Sequence, residues 1–237
     1  MEKVARVLEK PPFPLQVQML PAQAHWFLLD SLLLANRANR EGMHANALAI
    51  TRQCIEAISV IELGLCGSPE AIEILYRWEK DAIPAGELRK WLESNLWSKH
   101  GSGLWNERWS IFMGNLARAI QPFAHYSSKL SQWQSHIIGH SKGGEGEAHT
   151  LVLRFAPRAY DPQKATRITL FHSLITFVLG RIFMTYTTVL DHDFNAAVNR
   201  FGAALSQSDY LDGKETDWFK QFWAIVIFSE GPIPKNE

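Results

Sequence analysis

The chain of 237 residues carries 24 Lys plus Arg against 24 Asp plus Glu. No net field therefore draws it onto nucleic acid or an acidic membrane, and any basic patch has to be local. With 46% hydrophobic and 20% charged residues the composition is globular, excludes a disordered chain, and suffices for one domain with a sizeable core.

In chain order, residues 1–20 run into KPPFPLQ, where prolines block helix and predict an extended segment. From Pro21 to Arg40, Trp26, Leu29, Leu33 and Leu34 recur at helical spacing. Arg40-Glu41-Gly42 is a break, and a second helix is expected from Met43 to Leu65. Ala49, Cys54, Ile58 and Ile61 mark its buried stripe, and Arg52 with Glu56 make an i,i+4 ion pair. Gly67-Ser68-Pro69 supplies a stop, an N-cap and a first-turn proline for the next helix, with Ile72, Leu75 and Tyr76. After Pro84 and Gly86 comes an amphipathic helix, ELRKWLESNLW, and then the polar loop SKHGSG at 98–103. A long helical pattern resumes near Trp105 and carries through Arg118, Pro122 and His125 towards Trp133.

Residues 139–148 are rich in glycine and read as a mobile insertion. HTLVLRFAP (149–157) is the single strand candidate, with no evident partner. An apolar helix covers 168–191, another FNAAVNRFGAAL, and a last one DWFKQFWAIVIF at 217–228, before a flexible tail at 229–237. The uncharged run from Ile168 to Gly180 is interrupted by Arg181 and falls short of the roughly 20 residues a membrane span needs. It reads as a core helix, and no membrane partner is expected. No heptad seam is sustained enough for a coiled coil. The fold class is therefore all-α: a single bundle of about seven to eight helices spanning 21–228, with a Gly-rich loop and at most one short strand. The nine tryptophans are read as apolar bulk in that core. Cys54 and Cys66 lie on one helix about 18 Å apart, beyond disulfide reach. No signal peptide precedes them at MEKVARVLEK, which points to a reducing cytoplasm.

Four groups of residues bear on chemistry. His136 and His140 have the i,i+4 spacing by which a helix offers two imidazoles to a metal. Ile137 stands where a zinc peptidase has its glutamate, and Glu145, Glu147 and His149 would have to fold back to complete a site; an ordinary helix end is expected, with no metal and no cofactor. SKGGEGEAH lacks the order of a phosphate loop. Asp191-His192-Asp193 is a polar knot, with Asp193 suited to cap the following helix. The strongest pair is Arg118 and His125, two helical turns apart, with Tyr126, Ser127 and Ser128 beside the imidazole. A permanent cation next to a group that titrates near neutrality can bind an oxyanion and move a proton. Pro122 predicts a bend between them. In the alternative reading Arg118 pairs with Glu56 or Glu107.

An all-helical chain with Arg, a six-residue spacer and His resembles the HEPN superfamily of bacterial toxins, abortive-infection proteins and RNA-processing systems. The resemblance covers roughly residues 22–135, including the helix HANALAITRQCIEAISVIE. It implies metal-independent RNA cleavage, in which His125 shuttles a proton and Arg118 steadies charge on the phosphate oxygens, in a cleft commonly built across a homodimer. Ala119 stands where active members carry a polar residue, and Pro122 lies inside the spacer. Two functions follow as expectations: a HEPN-like helical protein of a defence or stress system acting through protein or RNA contacts, and a ribonuclease whose site is Arg118, His125 and Tyr126.

Overall fold

The computed structural model describes residues 14–142, 151–186 and 192–211. Its first helix, α1 (Leu15–Arg40), begins before the expected boundary. The segment at 1–20 was expected to be extended, but helix starts directly after Pro14 and takes in Pro21. Buried Val17 anchors the first turn, and Pro21 forgoes one backbone hydrogen bond while its ring fills space against Gly64. Residues 1–13 lie outside the described part.

The central helix is α2 (His44–Cys66), which buries Leu48, Thr51, Cys54, Ile55, Ile58 and Ile61 among others. Gly67 ends it with φ of 62°, donating its N–H to the Leu63 carbonyl at 3.2 Å, the left-handed position that glycine adopts freely. Ser68 then caps α3 (Pro69–Glu79), accepting the Ala71 N–H at 3.2 Å, as the sequence implies. Helices α4 (Ala85–Asn95) and α5 (Trp109–Ile120) follow, joined by short 3-10 turns at Trp97–His100 and Leu104–Asn106. After α6 (Ser128–Gln134) come strands β1 (Ser135–Lys142) and β2 (Leu151–Pro157). They pair antiparallel from Ser135↔Pro157 to Lys142↔Leu151, with an irregularity between Ile137 and Gly139.

This hairpin corrects two expectations. The one strand foreseen at 149–157 has a partner, and that partner is the segment read as the end of a helix. Isolated strands leave their backbone groups unpaired, so the β-forming stretch LVLRF draws HIIG out of the helical pattern. Helix α7 (Pro162–Tyr186) and α8 (His192–Ser206) complete the described chain. The eight helices among the described residues form the all-α bundle that the periodicity predicts. The expected helix at 217–228, the tail at 229–237 and most of the Gly-rich insertion lie outside the described residues.

Helix α7 is long and apolar enough to cross a membrane by length and composition, but over half of its most apolar stretch is buried inside the protein. Ile168, Phe171, Leu174, Ile175 and Val178 join the core with Leu28, Leu48, Ile58 and Phe112. Of the tryptophans, Trp97, Trp109 and Trp133 are fully buried. The start of α7 is fastened by polar groups. Asn39 donates to the Ala165 carbonyl at 2.9 Å and contacts His44 Nδ1 at 2.8 Å, while His44 Nε2 accepts the Asp161 N–H at 3.1 Å. Because Nε2 accepts, Nδ1 carries the proton and donates to Asn39.

Helix α1 turns its small residues inward. Ser31, Ala35, Ala38 and Asn39 are buried with Leu28, whereas Trp26, Leu29, Leu33 and Leu34, the spacing that announced the helix, face outward. Small side chains let α1 lie close against α2, and at Gly64 the approach leaves no room for a Cβ. A Cβ there would sit 2.0 Å from Pro21 Cγ. Gly64→Ala should gain about 1 kcal/mol of helix propensity and lose more to overpacking. The expected outcome in urea unfolding is a net loss of about 1–2 kcal/mol; a more stable variant would contradict the close approach.

Candidate functional site

The Arg118–His125 pair does not share a helical face. Helix α5 ends at Ile120, a 3-10 turn covers Gln121–Phe123, and Ala124–Tyr126 form a bend before α6. The cause is Pro122, which has no N–H to give the Arg118 carbonyl. Helix thus stops where a bend was expected. Ser127 consolidates the break, donating to the Pro122 carbonyl at 3.0 Å and accepting the Leu130 N–H at 3.2 Å. Arg118 is exposed in the last turn of α5 and donates to Asn115 Oδ1. Neither carboxylate named as its partner holds it in an ion pair: Glu56 pairs with Arg52 at 2.8 Å, and burial pushes the Glu107 carboxyl up from its ordinary range. His125 is exposed, and so is Tyr126, at 77%.

The other candidates resolve differently. His136 and His140 lie on β1, not on a helix, so the helical i,i+4 spacing read for them does not apply. Glu145, Glu147 and His149 lie outside the described residues. Among the described residues no three metal-ligating side chains converge. His192 and Asp193 open α8, with Asp193 in the first turn where the helix dipole favours it; Asp191 is not described. Cys54 and Cys66 are free thiols on α2, and burial pushes the Cys54 thiol up to about 12.

A buried polar cluster went unread. Glu62 is fully buried on α2. Its Oε1 meets His100 Nε2 at 2.7 Å and its Oε2 accepts the Trp97 indole N–H at 3.1 Å. The His100 ring stacks on Trp109 with centroids 5.0 Å apart, its Nδ1 lies 3.1 Å from Thr185 Oγ1, and its carbonyl accepts Arg181 Nη2 at 3.0 Å. Arg181 also sits over the faces of Trp109 and Phe177, and burial lowers its guanidinium's pKa. Burial, the Glu62 charge and Cys66 hold the Tyr186 hydroxyl well above its usual range. Glu62 follows Ile58 by four residues, so a carboxylate on an apolar stripe was visible in the sequence. His100 was not: it belongs to a loop that composition describes only as polar. Both Glu62 oxygens are occupied and shut off from water, so the cluster ties α2, α5 and α7 together rather than meeting a substrate.

A shallow groove of about 260 Å³ between α3 and α4 has Ile74, Ile83 and Trp91 in its lining, with Arg77, Glu87 and Lys90. It is smaller than the pockets that enclose most ligands. Among the described residues, exposed large apolar side chains gather on the outward side of α1, where Trp26, Phe27, Leu29, Leu33 and Leu34 are exposed by 57, 48, 43, 70 and 56%. Comparison with known proteins finds no family model that matches the sequence, no matching curated protein and no matching solved structure.

Burial also holds His172 neutral, with its pKa lowered to about 4 and Nε2 2.7 Å from Thr51 Oγ1. Thr51 donates to the Ala47 carbonyl, so Nε2–H donates to Thr51. The unfolded imidazole binds its proton near pH 6.5 and the folded one only near 4. Stability is therefore full above pH 6.5 and falls as pH drops towards 4, by up to about 1.4 kcal/mol per pH unit from this group. In urea titrations, His172→Gln should flatten that slope; an unchanged slope would place its origin elsewhere.

Proposed function

We propose that this chain is a contact protein, HEPN-like in its helical bundle and its Arg–His spacing, that works through the outward face of α1. One observation carries this reading: a helix with large apolar groups on its solvent side. Soluble proteins seldom leave such a contiguous patch uncovered, and those that do use it to bind. The inward face of α1 packs through Val17, Leu28 and small residues, so the large side chains on the opposite face are left for a second surface. Neutral net charge suits association by apolar burial rather than by a long-range field.

A second reading, the metal-independent ribonuclease, draws support from the exposure of Arg118, His125 and Tyr126 near one helix end. Arg118 is held by the neutral amide of Asn115, which leaves its charge uncancelled for a phosphate.

The contact reading is tested by placing Asp at Trp26 and Leu33 together. A free surface tolerates this, so unfolding free energy should change by less than about 1 kcal/mol, while binding of a hydrophobic fluorescent dye falls. A loss of several kcal/mol would mean that the face is covered within the chain. For the ribonuclease, purified protein is incubated with mixed RNA and EDTA beside His125→Ala. Cleavage that disappears with the substitution supports it, and equal cleavage by both proteins sinks it.

A further inference from the structure

We infer that the outward face of α1 binds the same face of a second copy of this chain, antiparallel, about a two-fold axis beside Leu33. This rests on the contact reading above and adds the partner and the register. Trp26, Leu29, Leu33, Asn36 and Arg40 are all exposed and fall alternately three and four residues apart, the spacing of the seam between two packed helices. An isologous pairing requires one surface to complement itself, and this one does.

With the axis beside Leu33, that leucine packs on its own counterpart. Residues equally far before and after it then meet across the interface. Trp26 lies against Arg40 of the second copy, ring against guanidinium. Asp30, three residues before Leu33, lies opposite Asn36 of the second copy and one position from its Arg37, whose long side chain reaches the carboxylate; Asp30 and Arg37 are both exposed. The same contacts recur on the other side of the axis. Sliding the axis back towards Asp30 would bring more leucine together but set Asp30 against Asp30, a repulsion that disfavours that register. Within one copy Arg37 already contacts Glu41 at 3.0 Å, with side chains 79% and 52% exposed. Such surface pairs contribute little and leave the guanidinium able to bridge to Asp30.

The test is sedimentation velocity of the full chain at rising concentration, with four variants: Leu33→Asp, Asp30→Arg, Arg37→Asp, and the last two combined. A dimer is expected, with its dissociation constant raised about thirtyfold or more by Leu33→Asp and about tenfold by each single charge reversal, and largely restored by the double reversal. The charge variants alter only exposed side chains, so they keep the test open should Leu33→Asp misfold. A dimer indifferent to all four overturns the inference. So does a monomer at every concentration; if its variants stay folded, the α1 face remains a contact surface with another occupant. Binding of that monomer to phosphatidylcholine–phosphatidylserine vesicles, lost in Leu33→Asp, would give the face to a lipid surface instead. Failure of the contact reading itself looks different: Leu33→Asp and the paired Trp26 substitution would then unfold the monomer.

Discussion

The close approach of α1 to α2 is the constraint on which the rest of this architecture depends. Pro21 against Gly64 allows no Cβ between the two backbones, and Ser31, Ala35 and Ala38 keep the remainder of the α1 contact thin. Packing at that distance gains dispersion contacts along two long helices, and beside Val17 and Leu28 the inward face is filled mainly by small residues. Trp26, Phe27, Leu29, Leu33 and Leu34 are left on the outside. The exposed stripe is a consequence of the packing on the opposite side of the same helix, and the proposed activity grows from it.

Polar side chains hold the other end of the arrangement. Asn39 and His44 sit at the corner between α1 and α2 and fasten the start of α7 through Asp161 and Ala165. Glu62 and His100 reach the far end of α7 through Thr185 and Arg181. A buried carboxylate is costly unless its lone pairs are met. Two N–H donors meet those of Glu62, and in doing so they fix a 3-10 turn that apolar packing alone would not orient. The cluster has the residue types of chemistry and the enclosure of structure. Helix α7, long and apolar enough by composition to cross a membrane, is pinned at both ends by these groups and forms a second long rod of the core.

The sequence revealed the helices wherever local signals sufficed. Gly67-Ser68-Pro69 works as a stop, a cap and a first turn, and Arg52 pairs with Glu56, because both depend on residues within one or two turns. What was missed depends on distance. Whether Trp26, Leu29 and Leu33 face inward or outward is decided by α2, since both faces of α1 contain apolar residues and periodicity cannot choose between them. HIIG reads as helix until LVLRF offers it a strand partner across the insertion. His100 acquires its role from a carboxylate 38 positions earlier. Between Arg118 and His125 the proline was read as bending a helix that in fact ends there.

The two-faced character of α1 is the claim on which the functional account stands, and thiol reactivity tests it most directly. In a Cys66→Ser background, where the remaining Cys54 is buried and its thiol pushed up to about 12, single cysteines are placed at Leu33 and at Ala35. Each protein is labelled natively in dilute solution with a soluble thiol reagent. Leu33→Cys should react nearly as fast as an unfolded chain, and Ala35→Cys about a hundredfold more slowly. Equal rates, or fast labelling at Ala35 with protection at Leu33, would contradict the orientation of the helix and the contact surface built on it.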